Sequence, residues 1–370
     1  MKKATLKQIA DIAGVSVTTV HRALNGKGGC SEEVEAEIQR IAEAQGYSTN
    51  LAASSLRKQP VQIAMIFPFR DNGGRFGLDG ILDGYLEFRR EVGEYNIVFQ
   101  EFLLRSSDKK PNEYLDMEYP ELERVLNQIY MEQPVRYDGV IVYGMSVTRR
   151  AEALLNRIVG RGTKVVVLER PLPSMEDVCT VKADTVMAGN IAAEIFSTQV
   201  KTAGTIAVIS QMVPGGDVSA CTCIGQLREQ LPDINLVELP LAMNVDQGDT
   251  IADFLLKYPD LVGVYITSGR HTCSALAALK RLDLKNIHVI GSELFEESYR
   301  ALHDRRLTVV LDKRPQKIGY TAVQMLTNHL VRGKPLSQSK MIPPRLIIRS
   351  NSDVHFVKRE YQHELEQYSD

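Results

Sequence analysis

Hydrogen-bonding side chains are concentrated in one short stretch near the amino terminus of this 370-residue chain. Thr18, His21, Arg22 and Asn25 recur at spacings of three and four residues, which places side chains on one face of a helix. Arginine and asparagine bond to guanine and adenine edges in the major groove of DNA, and a methyl group such as that of Val17 can contact thymine. The pattern predicts a base-reading face, with Arg22 as the guanine contact and His21 reaching a base or a phosphate.

Two short helices joined by a tight turn are predicted to position this face. Thr5 and Gln8 have the spacing of a capping box at the start of the first helix. Gly14 supplies the left-handed residue at which that helix can end, and Ser16 can cap the second helix. An ordinary helical hairpin with a polar outer face is the alternative.

The apolar residues of the two helices predict how they pack. Ile9, Ala10 and Ile12 are expected to point inward from the first helix, and Val20 and Leu24 form the buried stripe of the second. The small Ala10, the turn glycine and the apolar Val20 have the spacing of a helix-turn-helix, in which the two helices cross closely.

Charge is distributed unevenly along the chain. The net charge is only −2, so the whole chain does not indicate a nucleic-acid partner. Before residue 31, however, a single acidic residue, Asp11, stands against the basic residues Lys2, Lys3, Lys7, Arg22 and Lys27. A basic end on an otherwise acidic chain is expected where phosphate contacts are confined to that end.

The amino-terminal stretch GVSVTTVHRALNGKG resembles the DNA-binding head of the lactose-repressor (LacI/GalR) family, whose pattern is GVS-x-x-TVSR-V/L-LN. His21 stands where that family usually has serine. Residues 31–50 resemble its third helix and GY-x-PN ending, with Thr49 in place of proline, residues 51–58 its hinge, and residues 61–349 its effector domain. The resemblance implies a head at 1–49, a hinge helix or linker at 50–60, a two-lobed effector-binding and dimerisation domain at 61–350 and a tail helix at 351–370.

The resemblance also implies which residues contact DNA. In the hinge, Leu56 would wedge between base steps in the minor groove and Ala53 would allow close approach; a plain flexible linker is the alternative. The predicted DNA contacts are Thr5, Lys7, Ser16, Val17, Thr18, Thr19, His21, Arg22, Asn25, Tyr47, Asn50, Ala53, Leu56 and Arg57.

From residue 61 onward, buried valine- and isoleucine-rich runs alternate with amphipathic helices. This alternation predicts parallel βαβ units, and two consecutive series of them predict two doubly wound lobes. Segments 307–315 and 318–332 are expected to cross back between the lobes. The predicted fold class is therefore a small all-α helix-turn-helix head plus a two-lobed α/β effector domain of the type I periplasmic-binding-protein kind.

Ligands of such sheets bind beyond the carboxyl ends of the strands, which nominates the residues that follow each strand. The predicted effector contacts are Phe69, Arg70, Asn72, Phe76, Tyr143, Arg170, Thr222, Ser268, Arg270, Glu293, Asp312 and Lys313. Asp71, Met145, Glu169, His271 and Arg314 stand at the same strand ends.

Several of these positions depart from the family pattern. Thr222 stands where the R-x-x-G arginine would precede Gly225, Ser268-Gly269 replaces Asn-Asp, and Glu293 lies in an altered turn. Basic residues crowd the predicted rim instead. They favour a sugar acid or phosphorylated sugar over a neutral hexose as effector.

The resulting hypothesis is a repressor that binds a pseudo-palindromic operator as a homodimer under the control of a small sugar-like effector. Two alternatives are a sugar-binding receptor without a DNA role and a sugar-processing enzyme. No nucleophile elbow, P-loop or HExxH motif supports an enzyme. Residues 354–370 carry a heptad-like seam, which predicts a helix docked on its own lobe or, alternatively, a tetramer-forming zipper.

No cofactor, metal site or membrane segment is predicted. The five cysteines are scattered and odd in number, which fits reduced thiols. The start of the chain has no signal-peptide pattern, and no run of about 18 apolar residues occurs. The expected location is cytoplasmic, associated with the bacterial nucleoid.

Overall fold

The computed structural model describes residues 5–24, 29–44, 59–68, 76–92, 96–104, 120–132, 136–172, 174–213, 215–242, 247–284 and 286–356. The helices are α1 (Leu6–Ala13), α2 (Val17–Leu24), α3 (Glu32–Ala44), α4 (Leu78–Glu91), α5 (Pro120–Met131), α6 (Arg149–Val159), α7 (Thr185–Gln199), α8 (Val218–Gln230), α9 (Gly248–Leu255), α10 (Gly269–Leu282), α11 (Glu296–His303), α12 (Pro315–Arg332) and α13 (Ser352–His355). The strands are β1 (Val61–Pro68), β2 (Ile97–Leu104), β3 (Gly139–Tyr143), β4 (Lys164–Leu168), β5 (Val178–Ala183), β6 (Gly204–Gln211), β7 (Ile234–Leu241), β8 (Leu261–Ile266), β9 (His288–Ser292), β10 (Val309–Asp312), β11 (Ser339–Ile342) and β12 (Arg345–Ile347).

Helices α1, α2 and α3 form the head. The predicted capping box is present, because Thr5 N donates to Gln8 Oε1 at 2.8 Å and Gln8 N donates to Thr5 Oγ1 at 3.3 Å. Gly14 ends α1 with φ 66°. The prediction for Ile12 was wrong: its side chain is 54% exposed, since α1 is only two turns long and Ile9 and Ala10 already fill the contact with the other helices. The core of the head consists of Ile9, Ala10, Val20, Ala23, Ile38, Ile41 and Ala42.

Two six-stranded sheets form the two lobes. The strand order of lobe 1 is β11-β5-β4-β3-β1-β2, and all its pairs are parallel. The order of lobe 2 is β12-β10-β9-β8-β6-β7, with only β12 antiparallel to its neighbour. Helices α4 and α12 cover one face of the first sheet, and α5 and α6 the other. In lobe 2, α7 and α8 oppose α9, α10 and α11.

The chain passes between the lobes three times. The crossovers join β5 to α7, β10 to α12 and β11 to β12. The prediction that segments after residue 307 cross back is thereby confirmed. Strand β5 and helix α11 were not predicted. Strand β5 contains Thr180 and Lys182 within a short run, and α11 is only two turns long, so neither has a strong periodic signal.

Helices α4 and α12 pack at van der Waals distance through glycines. A Cβ added at Gly84 would lie 1.9 Å from the carbonyl oxygen of Gln316, and one added at Gly319 would lie 1.9 Å from that of Ile81. Because both obstacles are backbone atoms, neither can rotate away. The two helices can approach this closely only without side chains at these positions.

The described start of the tail lies on lobe 2. The rings of Tyr299 and Phe356 stack at 4.3 Å, and Tyr299 Oη donates to Asp353 Oδ1 at 2.8 Å. Val354, the first residue of the predicted seam, is 79% exposed, because α13 turns its other side to α11. The seam beyond residue 356 lies outside the described residues.

Candidate functional site

Helix α2 carries an exposed face of mixed methyl groups and hydrogen-bond donors. Val17, Thr18, His21 and Arg22 are exposed, and so is Lys7 on α1. The opposite face of α2 packs into the head core. The core therefore holds the second helix of the pair with its polar side outward, as predicted.

Three of the predicted DNA contacts stabilise the helix ends of the head. The Oγ atom of Ser16 accepts a hydrogen bond from Thr19 N at 3.0 Å and lies 2.8 Å from Thr19 Oγ1. Thr5 caps α1 in the same way. These hydroxyls satisfy backbone N–H groups that the helices leave without partners. To contact DNA, these hydroxyl groups would have to form a further hydrogen bond in addition to the one within the head.

The Arg22 guanidinium lies beside Gly29, which precedes α3. A Cβ at Gly29 would be 3.0 Å from Arg22 Nε, so glycine makes room for the guanidinium. Nine predicted contacts lie outside the described residues: Asn25, Tyr47, Asn50, Ala53, Leu56, Arg57, Phe69, Arg70 and Asn72.

A buried ammonium lies between the lobes. Lys313, at the β10–α12 crossover, donates to Thr267 O, and its Nζ is 3.4 Å from Glu293 Oε1. Thr267 in turn donates from Oγ1 to Asp217 Oδ2 at 2.5 Å. The side chains of Lys313 and Glu293 are only 19% and 12% exposed. Both predicted residues are thus brought together at the carboxyl ends of β9 and β10.

This cluster contains more carboxylates than ammonium groups. Burial raises the pKa of Glu293 to about 7, although Lys313 opposes the shift. Burial likewise raises the pKa of Glu169. Burial favours the neutral amine of Lys313, but the carboxylates of Glu293, Asp217 and Glu169 raise its pKa. Lys313 stays charged, and Glu293 exchanges its proton near neutral pH.

Glu293 also presents an oxygen without a partner. Its Oε2 atom is buried and makes no hydrogen bond within the described part of the chain. Its backbone has φ 58°, outside the usual range for a residue with a side chain. An unsatisfied buried carboxylate oxygen and a strained backbone are both typical of binding sites. The oxygen can accept a hydrogen bond from a ligand hydroxyl.

Phe76 bridges the lobes beside this oxygen. It precedes α4 in lobe 1, yet its ring contacts Phe295 of lobe 2 edge-on, with the centroids 5.3 Å apart. The Arg270 guanidinium lies 5.5 Å from the centre of the same ring. A Cβ at Gly269 would meet Glu293 Oε2 at 2.8 Å and Phe76 Cβ at 3.4 Å. The Gly269 departure from Asn-Asp therefore makes room for both neighbours.

Other predicted effector contacts have partners elsewhere. Ser268 Oγ caps α10 by accepting from His271 N at 3.3 Å. Thr222 Oγ1 donates to Val218 O at 2.7 Å, and Thr222 packs against Gly189 of α7. Arg170 is exposed. The hydroxyl groups of Ser268 and Thr222 thus bond within their own helices, α10 and α8.

Asp312 and Tyr143 occupy two further strand ends, and the negative charge of Asp312 raises the pKa of the neighbouring Glu293. Asp312 is buried and accepts from Arg345 Nη2 at 2.7 Å. Tyr143 is partly buried at the end of β3.

Sequence reasoning missed Asp217, Thr267 and Phe295. Asp217 caps α8 through Ser219 N at 3.0 Å, and its second oxygen accepts from Thr267. Thr267 and Phe295 immediately follow β8 and the β9 turn. The strand-end rule that nominated their neighbours would have found these two. Asp217 precedes α8, and its position in the sequence indicates only a helix cap. Nothing local indicates that it also accepts a hydrogen bond from Thr267.

Comparison with known families divides the chain in the same way. Residues 5–50 match the model of bacterial regulatory proteins of the lacI family, and residues 122–335 match the periplasmic binding protein domain. The chain belongs to the lacI family. The resemblance of the head is thereby confirmed, and so is the two-lobed fold.

Curated relatives of this lacI-family protein include the ribitol operon repressor of Klebsiella aerogenes, 40% identical over 102 residues, which are 26% of this chain and 37% of that protein. Catabolite control protein A of Streptococcus mutans is 28% identical over 180 residues, 46% of each chain. The matches thus span less than half the length of either relative.

Solved structures show the same fold as the lobes of this lacI-family protein. A putative LacI transcriptional regulator from Bacteroides fragilis has a TM-score of 0.65 at 16% identity, over 80% of this chain and 100% of that one. GanP, a glucose-galactose binding protein from Geobacillus stearothermophilus, has a TM-score of 0.62 at 18% identity, over 80% of this chain and 99% of that one.

In the part of the chain that the structure describes, no helix is both long and apolar enough to cross a membrane. In the same part of the chain, no three histidine, cysteine, aspartate or glutamate side chains are grouped so that they could hold a metal ion.

Proposed function

We propose that this protein is a ligand-responsive transcriptional repressor that binds a pseudo-palindromic operator as a homodimer. The observation that carries the proposal is the exposed donor face of α2, held outward by a packed three-helix head. One such face makes few base contacts, so two heads related by a two-fold axis would read two half-sites. Two relatives are named as repressors of a ribitol operon and of a sucrose operon, which supports the same conclusion.

In the cleft we propose a neutral, hydroxyl-bearing effector such as a sugar or polyol. Glu293 Oε2, which has no hydrogen-bond partner among the described residues, can accept a hydrogen bond from a ligand hydroxyl group. The acidic or phosphorylated effector expected from the sequence has less support here, because Lys313 is already bonded to Glu293 and Thr267 and Arg270 lies over Phe76. An added anion would also face the excess carboxylates of the cluster.

Effector binding would act through lobe closure. Phe76 contacts lobe 2 beside Glu293, so a ligand that bonds to Glu293 also changes the packing between the lobes. A ligand shifts such an equilibrium by its difference in affinity for the two states. Coupling of about 1–3 kcal/mol is usual for allosteric proteins and would alter the separation of the two heads.

A mobility-shift assay tests the whole proposal. The full chain is mixed with DNA that flanks its own gene, with ribitol and a panel of neutral sugars, sugar acids and sugar phosphates. We expect a sequence-specific shift that one neutral member of the panel modulates. Sugar binding without a shift on this DNA, or on sites selected from random sequences, would instead identify a receptor without a DNA role.

Replacing Arg22 with alanine should reduce discrimination at one operator base pair by about 1–3 kcal/mol, the usual contribution of a bidentate arginine–guanine contact. Binding to random DNA should change much less. Fluorescence anisotropy on the operator and on single-base variants measures both quantities.

Two further head variants serve as comparisons for Arg22. Arg40 on α3 is exposed and paired with Glu37 at 2.7 Å, so Arg40→Ala should preserve discrimination. Lys7→Ala should weaken binding to all DNA sequences about equally, as loss of a phosphate contact does. An equal loss on operator and random DNA for Arg22→Ala would contradict the base-contact assignment.

Effector binding should release protons near neutral pH. A ligand hydroxyl that donates to Glu293 favours the ionised carboxylate and lowers its pKa from about 7. The affinity should therefore rise as pH increases through that value. Calorimetry in buffers of different ionisation enthalpy measures the released protons. Glu293→Gln should abolish the pH dependence, and persistence of proton release in this variant would contradict the role of Glu293.

A further inference from the structure

A cavity of about 720 Å³ lies beside the crossovers, where α4 and α12 of lobe 1 meet the last strand of lobe 2. Lys313 bonds to Thr267 and Glu293 in the cleft, whereas the next residue, Arg314, lines this cavity. Three residues described above in the cleft, Glu293, Phe76 and Phe295, also border the cavity. The cavity is therefore a compartment adjoining the cleft, with its own set of charged groups.

Three basic side chains from separate elements line one end of the cavity. They are Arg314 at the second crossover, Arg345 on β12 and His355 on α13. Arg345 Nη1 lies 3.0 Å from His355 Nδ1, so the arginine donates and Nδ1 accepts. His355 in its neutral form then carries its proton on Nε2. Burial, Arg345 and Arg314 lower the pKa of His355, and only Asp312 opposes them.

Two donors of this basic cluster have no protein partner. Arg345 Nη2 bonds to Asp312, but its Nε is buried and makes no hydrogen bond to any described residue. The Arg314 guanidinium, partly buried, has neither an ion pair nor a hydrogen bond in the part of the chain that the structure describes. Arg314 also adopts φ 59° and ψ 54°, a left-handed conformation that is unfavourable for a residue with a side chain.

The opposite wall of the cavity carries hydrogen-bond acceptors. Asp83 and Glu87 project from α4, and Glu87 Oε2 accepts from Gln316 Nε2 at 2.8 Å. Arg90 and Lys317 complete the charged lining, Arg90 Nε donating to Leu86 O and Lys317 lying over the Tyr320 ring. A ligand in the cavity thus meets the basic cluster of Arg314, Arg345 and His355 together with the carboxylate acceptors of α4.

We propose that this cavity is a second ligand site, which takes a small hydroxylated anion such as a sugar phosphate or sugar acid. The anionic group would accept hydrogen bonds from Arg314 and Arg345 Nε, and the hydroxyl groups would donate to Asp83 and Glu87. Charge-assisted bonds of this kind are the stronger ones in proteins. The cavity, not the cleft, then receives the acidic ligand that the basic residues near the strand ends suggested.

The position of the site gives it a regulatory consequence. Asp312, Arg314 and Pro315 belong to one crossover and Arg345 begins the strand after another. Any relative movement of the lobes must change the geometry of these segments. An anion that links Arg314 to Arg345 therefore stabilises one lobe arrangement and modulates the response to the cleft ligand.

Calorimetric titration of the full chain with inorganic phosphate, gluconate and a hexose 6-phosphate tests the proposal without DNA. We expect all three to bind, and Arg314→Gln to weaken each by about tenfold or more, as loss of a charged hydrogen bond does. Arg300→Gln, on the exposed face of α11 and paired with Glu296, should bind as the wild type does. No binding of any anion, or equal binding to both variants, would overturn the site.

The pH dependence separates this site from the cleft. An anion raises the depressed pKa of His355 and takes up a proton, so its affinity should rise as pH falls. For gluconate, whose carboxylate stays ionised across this range, His355→Asn should remove that dependence. Cleft binding has the opposite sign. A saturating neutral sugar should shift the gluconate affinity only to a limiting value, because coupled sites change each other's affinity without excluding the other ligand. A competitive loss of gluconate binding without such a limit would place the anion in the cleft and overturn the second site. Failure of operator binding would leave this measurement unaffected.

Discussion

Replacing Lys313 with methionine should lower the free energy of unfolding of the two-lobed domain by about 3–5 kcal/mol, the usual result of removing one partner of a buried ion pair. The carboxylates of Glu293, Asp217 and Glu169 raise the pKa of Lys313. In the variant they would lose this neighbouring positive charge. Thr267 O would lose its hydrogen-bond donor as well. Methionine preserves most of the side-chain volume, so the effect would report on charge and hydrogen bonding more than on a cavity.

The pH dependence of this loss is part of the prediction. Below about pH 7 Glu293 takes up a proton and tolerates the missing ammonium, so the destabilisation should shrink as pH falls. Because the chain has no tryptophan, urea unfolding followed by circular dichroism is the suitable measurement. The double variant Lys313→Met/Glu293→Gln should recover much of the loss. A full, pH-independent loss in the double variant would show that Lys313 acts through packing.

Replacing Gly84 with alanine should destabilise lobe 1 by about 3 kcal/mol, at the upper end of the range for overpacked cores. The new methyl group would lie 1.9 Å from the carbonyl oxygen of Gln316, so α4 and α12 would have to separate. That movement would widen the cavity and displace Arg314, which precedes α12. Anion affinity should therefore fall together with stability.

Gly225 provides the matched control for Gly84. It also lies inside a helix, α8, but a Cβ there would meet no atom within 4 Å. Gly225→Ala should stabilise the protein by about 0.4–1 kcal/mol, because the unfolded chain loses freedom without native strain. Thermal unfolding of both variants, followed by circular dichroism, measures the contrast. Equal effects at the two positions would contradict the close helix contact.

The amino-acid sequence by itself determined the head and the class of the two lobes. Caps and periodicity are local signals, so Thr5, Gly14 and Ser16 predicted three helix boundaries correctly. The alternation of apolar strands with helices depends equally on neighbouring residues. These signals failed where elements were short or polar, as in β5 and α11, or where an apolar residue had no room in the core, as Ile12 did.

Only the tertiary structure decided how the charged residues are partnered. The strand-end rule correctly placed Glu293 and Lys313 near each other, yet nothing local indicated that Lys313 bonds to Glu293 while Arg314 lines a separate cavity. That division depends on backbone geometry at the crossover and on partners distant in sequence: Asp217, Thr267, Arg345 and His355. The energy of a buried charge depends on all its neighbours at once, so the identities of the rim residues could not determine the ligand chemistry.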